Sequence, residues 1–314
     1  MGRSWGRYLS GLARRSLTTF SVLVRIMLPV MILVRIGEEF GLSQMLGGWL
    51  GPLMGLAGLP AEAGLIWAVC LLTGLYGGVG AYLTLLPDLE LTVAQHSVLC
   101  AMMLTAHAIP VEQAIVRKAG ASFLLTSMLR IGVAFAYGMA AAWLLAATES
   151  LAAPLQPVWL AAGFAEPGWS AWAVATAKSL VSIFAILTLL LVLLDFLNMT
   201  GLTQRITGLL EPVLRAIGLE PRLAPVTTVG LLMGLAYGGA LIIQAMRQQT
   251  FGPRARFMAL ACLSLLHGLI EDTALMLAIG ADIRVILFGR LAFTLVFIAA
   301  LARMLKRGPE VAPQ

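Results

Sequence analysis

Ser264-Leu-Leu-His-Gly-Leu-Ile-Glu-Asp272 sets a histidine and two carboxylates inside strongly apolar sequence, and Thr105-Ala-His-Ala-Ile-Pro-Val-Glu112 carries its own histidine 160 residues earlier. Polar groups in apolar surroundings are costly, so two such placements need a partner or a task. The interval between them decides the fold. Laid on itself with that single shift and no gaps, the chain brings residues 11–145 onto 171–305. Gly41-Leu-Ser-Gln44 falls on Gly201-Leu-Thr-Gln204, and Leu71-Leu-Thr-Gly-Leu75 on Leu231-Leu-Met-Gly-Leu235. Pro52 meets Pro212, His107 meets His267, Gly120 meets Gly280 and Arg130 meets Arg290. Leucine and alanine coincide by chance in so biased a composition. Histidine, arginine and proline at one constant shift do not, and the chain reads as one unit written twice.

The 314 residues are 60% hydrophobic and 11% charged, with a mean hydropathy of +0.93, against roughly 25% charged in a soluble domain. Apolar runs of about 17–25 residues suit helices crossing a hydrocarbon core, and no ten-residue alternation of a barrel is present. The expected fold class is therefore an all-α polytopic membrane protein. The net charge of +6 does not point to nucleic acid, because the basic residues stand at the ends of apolar segments. Cys70, Cys100 and Cys262 are isolated in apolar runs without metal or redox spacing.

Each half divides into five segments. They are 16–36, 42–59, 62–86, 91–109 and 121–147, answered by 176–197, 202–219, 223–246, 257–279 and 283–305. Residues 1–15 form a basic amphipathic segment suited to the anionic inner leaflet. Residues 16–147 and 176–305 are the two repeats, 148–175 an extracytoplasmic connection and 306–314 a cytoplasmic tail. The second segment of the second half carries Arg205, Glu211 and Arg215, which suits a helix lying at the interface. The third segments are broken by glycine, in Gly74-Leu-Tyr-Gly-Gly-Val-Gly80 and Gly234-Leu-Ala-Tyr-Gly-Gly239. Breaks of this kind are tolerated only against protein or a watery cavity, so these segments are expected to be discontinuous or re-entrant.

Three full crossings per half is an odd number, so the second half is expected to insert upside down relative to the first, giving an inverted-topology repeat. With the N-terminus inside, the cytoplasmic face collects the N-terminal arginines, Arg117, Lys118, Arg205, Arg215, Arg222, Arg247, Arg254, Arg256, Arg303, Lys306 and Arg307. Arg35, Lys178 and Arg284 stay outside. The expected location is a bacterial cytoplasmic (inner) membrane with both termini in the cytoplasm.

Inverted repeats with broken helices place their sites near the midplane. Tyr76, Gly77, Gly78, Tyr82, Tyr237, Gly238, Gly239 and Gln244 are the candidate substrate-binding residues, though the same glycines also serve close helix packing. His107, Glu112, Arg130, His267, Glu271, Asp272 and Arg290 are the candidates for gating or proton relay. His267 and Glu271 share a helix face. Arg130 and Arg290, about 15 Å along their helices, need buried acceptors, for which Glu112 and Glu271 or Asp272 are placed. A histidine can equally hold helices together by one hydrogen bond. His267 near one end of its helix would be answered by His107 near the opposite face, giving two separate gates. His96 is expected at the membrane interface.

At the stretches Leu75-Tyr-Gly-Gly-Val-Gly80, Leu235-Ala-Tyr-Gly-Gly239 and His267-Gly-Leu-Ile-Glu-Asp-Thr273, the chain resembles membrane proteins with nucleoside-recognition, or Gate, domains. That family includes spore maturation proteins and is related to the membrane parts of nucleoside carriers and ferrous-iron transporters. The resemblance implies two gate-like repeats in a transporter-like fold. Where ferrous-iron transporters look to use Cys-Pro elements, this chain has glycine and tyrosine.

The leading expectation is a gradient-driven secondary transporter or permease for a small polar solute or ion. No phosphate-binding loop for an ATP-driven pump is present, and no cofactor, resident metal or catalytic residue is expected. The alternatives are a membrane scaffold or sensor that retains a transporter fold, and an intramembrane metal-dependent enzyme. The enzyme requires three converging ligands, which two distant histidines supply only if the fold brings them together. Membrane lipid and the solute are the expected partners, with a homo-oligomer allowed.

Overall fold

A computed structural model describes residues 2–86, 89–156, 168–248 and 251–305. The first half runs through α1 (Gly2–Glu39), α2 (Leu42–Leu56), α3 (Ala63–Thr73), α4 (Leu75–Leu85), α5 (Val93–Thr105), α6 (Ile109–Lys118) and α7 (Phe123–Ala147). The second runs through α8 (Trp169–Met199), α9 (Leu202–Ala216), α10 (Ala224–Met233), α11 (Leu235–Gln248), α12 (Pro253–Leu266), α13 (Glu271–Ala278) and α14 (Arg290–Met304), with a π-helical turn at Arg284–Gly289 ahead of α14. The element order is the same in both halves, and a shift of 160 carries α2 onto α9 residue for residue. Left-handed glycines recur at that shift, at Gly41 and Gly201, Gly58 and Gly218, Gly74 and Gly234, and Gly120 and Gly280. The protein is an all-α polytopic membrane protein. Among the described residues, six stretches are long and apolar enough to cross a bilayer: Trp5–Glu39, Val93–Lys118, Phe123–Ala147, Trp169–Met199, Pro253–Ala278 and Arg284–Met304. They are the first, fourth and fifth segments of each half.

The equivalent helices α1 and α8 pack against each other in antiparallel fashion. Arg15, early in α1, forms a salt bridge with Asp195 near the end of α8 at 2.6 Å, and the Tyr8 hydroxyl donates to the same carboxylate. Midway, Phe20 meets Phe184 edge to face at 5.1 Å. At the other end the Arg35 guanidinium lies over the Trp169 ring. The two halves are joined further inward. Tyr137 of α7 donates to the Val285 carbonyl at 2.6 Å, and the Asp282 backbone N–H donates to Ser97 of α5.

The glycine breaks create sharp helical hairpins. At Gly74 (φ 99°, ψ 178°) α3 ends and α4 folds back along it, so that Cys70 stands beside Gly78. Gly234 (φ 91°, ψ 165°) joins α10 to α11 in the same way. Only glycine enters this conformation without strain. The carbonyls released there are satisfied within the protein. Cys70 O accepts from the backbone N–H of Gly74 and of Ala108, while Leu231 O accepts from Leu269. Each hairpin tip is thereby fastened to the break in the following span.

Three expectations change. The segment ending at Ile109 continues as α6 to Lys118, because Pro110 sits in the first turn of a new helix, where its missing N–H is not needed. His107 is therefore mid-span rather than near an end. His96 is buried rather than interfacial: its ring lies 5.1 Å from that of Tyr82, and Nε2 is 3.6 Å from Cys100 Sγ. Finally, α1 runs unbroken from Gly2, with no boundary at residue 16. Residues 157–167, within the expected connection, and 306–314, the expected tail, lie outside the described residues.

Gly74→Ala and Gly234→Ala should each destabilise the folded protein by about 1–3 kcal/mol. Gly55→Ala, in regular helix with open space around its Cβ position, should be neutral or slightly stabilising. Equilibrium unfolding in mixed detergent micelles measures all three, and equal stability at the two breaks and at Gly55 would contradict the assigned backbone.

Candidate functional site

Two broken spans bring the site together. The first pauses between α5 and α6, where Ala106 is extended and Ala108 is left-handed (φ 46°). The second pauses between α12 and α13, with His267 extended and Gly268 left-handed (φ 67°). A helix end leaves carbonyls without intrahelical partners, and both histidines bond to carbonyls of that last turn. His107 Nδ1 is 2.9 Å from Met103 O, while His267 Nδ1 is 3.2 Å from both Leu263 O and Ser264 O. A carbonyl only accepts, so Nδ1 carries the proton in each ring. The Nε2 lone pairs are left facing inward.

Those lone pairs converge. His107 Nε2 and His267 Nε2 are 3.1 Å apart, and each lies 3.2 Å from Glu112 Oε1. The expectation of two gates on opposite sides is thus overturned: the histidines form one centre, since each sits in the middle of its span. The other Glu112 oxygen pairs with Arg130, whose side chain is completely buried. Arg130 Nε donates to Thr105 O at 2.9 Å, another carbonyl released by the helix break. Glu112 enters from the first turn of α6, where the helix dipole favours a carboxylate. The centre is thus a carboxylate held by an arginine on one side and facing two imidazole lone pairs on the other.

At the repeat shift, Asp272 is the counterpart of Glu112 and Arg290 that of Arg130. The second pair is not closed. Arg290 is fully buried, and its three guanidinium nitrogens have no hydrogen-bond partner among the described residues. Asp272 is within electrostatic reach of Glu112 and Arg290, but its carboxylate is folded into the space that a side chain at Gly268 would take. Glu271, half-buried beside Asp272, makes no ion pair among the described residues. It interacts electrostatically with Tyr76, so the hairpin tip of the first half reaches the carboxylates of the second.

The remaining candidates separate from this centre. Gly77 and Gly78 leave room for Thr73, Cys70 and Met103 and act as packing surfaces, while Tyr82 is buried against His96. Gly239 packs against Ile115 of α6, and Gln244 is exposed. Tyr237 and Gly238 lie in the backbone of α11, with surroundings outside the described residues. Sequence reasoning missed Thr105, Met103, Leu263 and Ser264, because they act through carbonyls that no side-chain pattern signals. It also missed Tyr137, a lone tyrosine in an apolar helix.

A protein of Bacillus subtilis (strain 168), "Uncharacterized membrane protein YvoD", is 26% identical over 307 residues, covering 96% of this chain and 95% of that protein. No solved structure matches the chain. Residues 180–306, in the second half of the chain, match the family model of the Gate domain, described as nucleoside recognition.

Proposed function

We propose that the protein is a gradient-driven secondary transporter or permease for a small polar solute or ion, working at the interface of two oppositely inserted halves of a bacterial cytoplasmic membrane protein. The observation that carries this reading is the unequal state of two equivalent ion pairs. Glu112–Arg130 is closed, while Asp272 and Arg290, in the same places of the other half, form no salt bridge among the described residues. A buried guanidinium without a hydrogen bond is costly, and a second state in which Asp272–Arg290 closes and Glu112–Arg130 opens would relieve that cost. Exchange of this kind opens a central site first to one face and then to the other.

Helix packing supports the same asymmetry. The hairpin arm α4 packs against α1 of its own half, whereas its counterpart α11 packs against α6 of the other half. Antiparallel packing of α1 on α8 supports the inverted insertion, and the distribution of basic residues supports cytoplasmic termini. Buried polar atoms of Gln113 and Thr273, neighbours of Glu112 and Asp272, have no partner among the described residues, which suits a lining that serves a passing polar solute. A scaffold would need the histidines only as bonds to backbone. Their further convergence with Glu112 favours transport over that alternative. No catalytic role is assigned.

A reporter active only in the cytoplasm should give signal at both ends of the chain, and an inactive fusion at either end would contradict the topology. For transport, proteoliposomes should show flux of at least one member of a panel of nucleosides, inorganic cations and organic anions. Arg290→Ala and Asp272→Asn should each slow it about tenfold or more, or about 1.4 kcal/mol in activation free energy, while the protein remains monodisperse. Absence of flux across the whole panel would remove the reading.

A further inference from the structure

The geometry points to the His107–His267–Glu112 centre as a binding site for a divalent first-row transition ion of the Zn2+ kind. His107 Nε2, His267 Nε2 and Glu112 Oε1 form a nearly equilateral triangle with edges of 3.1, 3.2 and 3.2 Å. Ligands of a tetrahedral ion at bond lengths of about 2.0 Å are about 3.3 Å apart, so the three donors already have the spacing of one coordination face. No other His, Cys, Asp or Glu group of three among the described residues comes together in this way.

The donors are also in the form an ion requires. Both Nδ1–H groups are held by main-chain carbonyls, which fixes the ring planes and leaves the Nε2 lone pairs free to coordinate. This is the outer-shell arrangement typical of metal-bound histidine. Arg130 does the same for the carboxylate, fixing Oε2 so that Oε1 faces the imidazoles. Two nitrogens and one oxygen suit a borderline divalent ion, and the set lacks the thiolates preferred by softer ions and the oxygen cage of Ca2+. Three protein donors leave a fourth position for water or solute. Electrostatics fit as well. Glu112 and Arg130 neutralise each other.

This site deepens the transport reading by naming a solute or coupling ion for its centre. It rests on that reading only for passage of the ion, because binding follows from the donors alone. The test uses full-length protein with a histidine-free affinity tag, stripped with chelator and dialysed against Zn2+ or Co2+. The expected result is about one ion per chain, with visible Co2+ bands of a four-coordinate site and a zinc X-ray absorption spectrum containing two imidazoles. His107→Ala and His267→Ala should each weaken binding beyond the roughly 10–100-fold that loss of an outer-shell partner brings, and His96→Gln should retain the ion. The zinc spectrum of the unmodified protein keeps the test decisive even if a histidine variant misfolds. Sub-stoichiometric metal, a spectrum without imidazole, or unchanged affinity in the double histidine variant would overturn the site. Flux without binding would overturn it while leaving the transporter intact. Binding without flux would support it and remove the transporter.

Discussion

Two imidazole lone pairs held 3.1 Å apart repel unless positive charge lies between them. That constraint follows from the ends of two helices. Each histidine closes a broken span by donating Nδ1–H to carbonyls in the last turn of its own helix, and the donation directs Nε2 inward. The centre is therefore built by main-chain geometry before any ligand is considered. Glu112 completes it, and Arg130 is drawn in because an unpaired buried carboxylate is costly.

The breaks that produce this centre are themselves braced. Hairpins turning at Gly74 and Gly234 place their tips against the pauses in the long spans, and main-chain hydrogen bonds from Ala108 and Leu269 tie each tip to its neighbour. In a bilayer such irregular backbone survives only where protein satisfies it. The same logic explains why two glycines with φ near 90° are found where the chain has least freedom to choose another residue.

Much of this architecture was legible in sequence. The shift of 160, the six spans and the turning points at Gly74 and Gly234 all follow from periodicity and from residue types with unambiguous physical meaning. Glu112 as the partner of Arg130 followed from depth along a helix. The meeting of His107 and His267 did not, because Pro110 and Glu112 look like the end of a span when they are the first turn of its second half. An error of one helix moved His107 from mid-span to an end and split one centre into two. Likewise His96 looks interfacial by position and is buried by packing against Tyr82 and Cys100. Gly77 and Gly78 read as candidate substrate-binding residues, but local sequence cannot distinguish a binding surface from a packing surface.

The most direct test is solid-state NMR of the membrane-embedded protein labelled with 15N at its three histidines. The account predicts a through-space correlation between the Nε2 atoms of His107 and His267, consistent with their 3.1 Å separation. It also predicts protonated Nδ1 in both rings and no such correlation from His96. Two uncorrelated histidines, or rings carrying their proton only on Nε2, would contradict it.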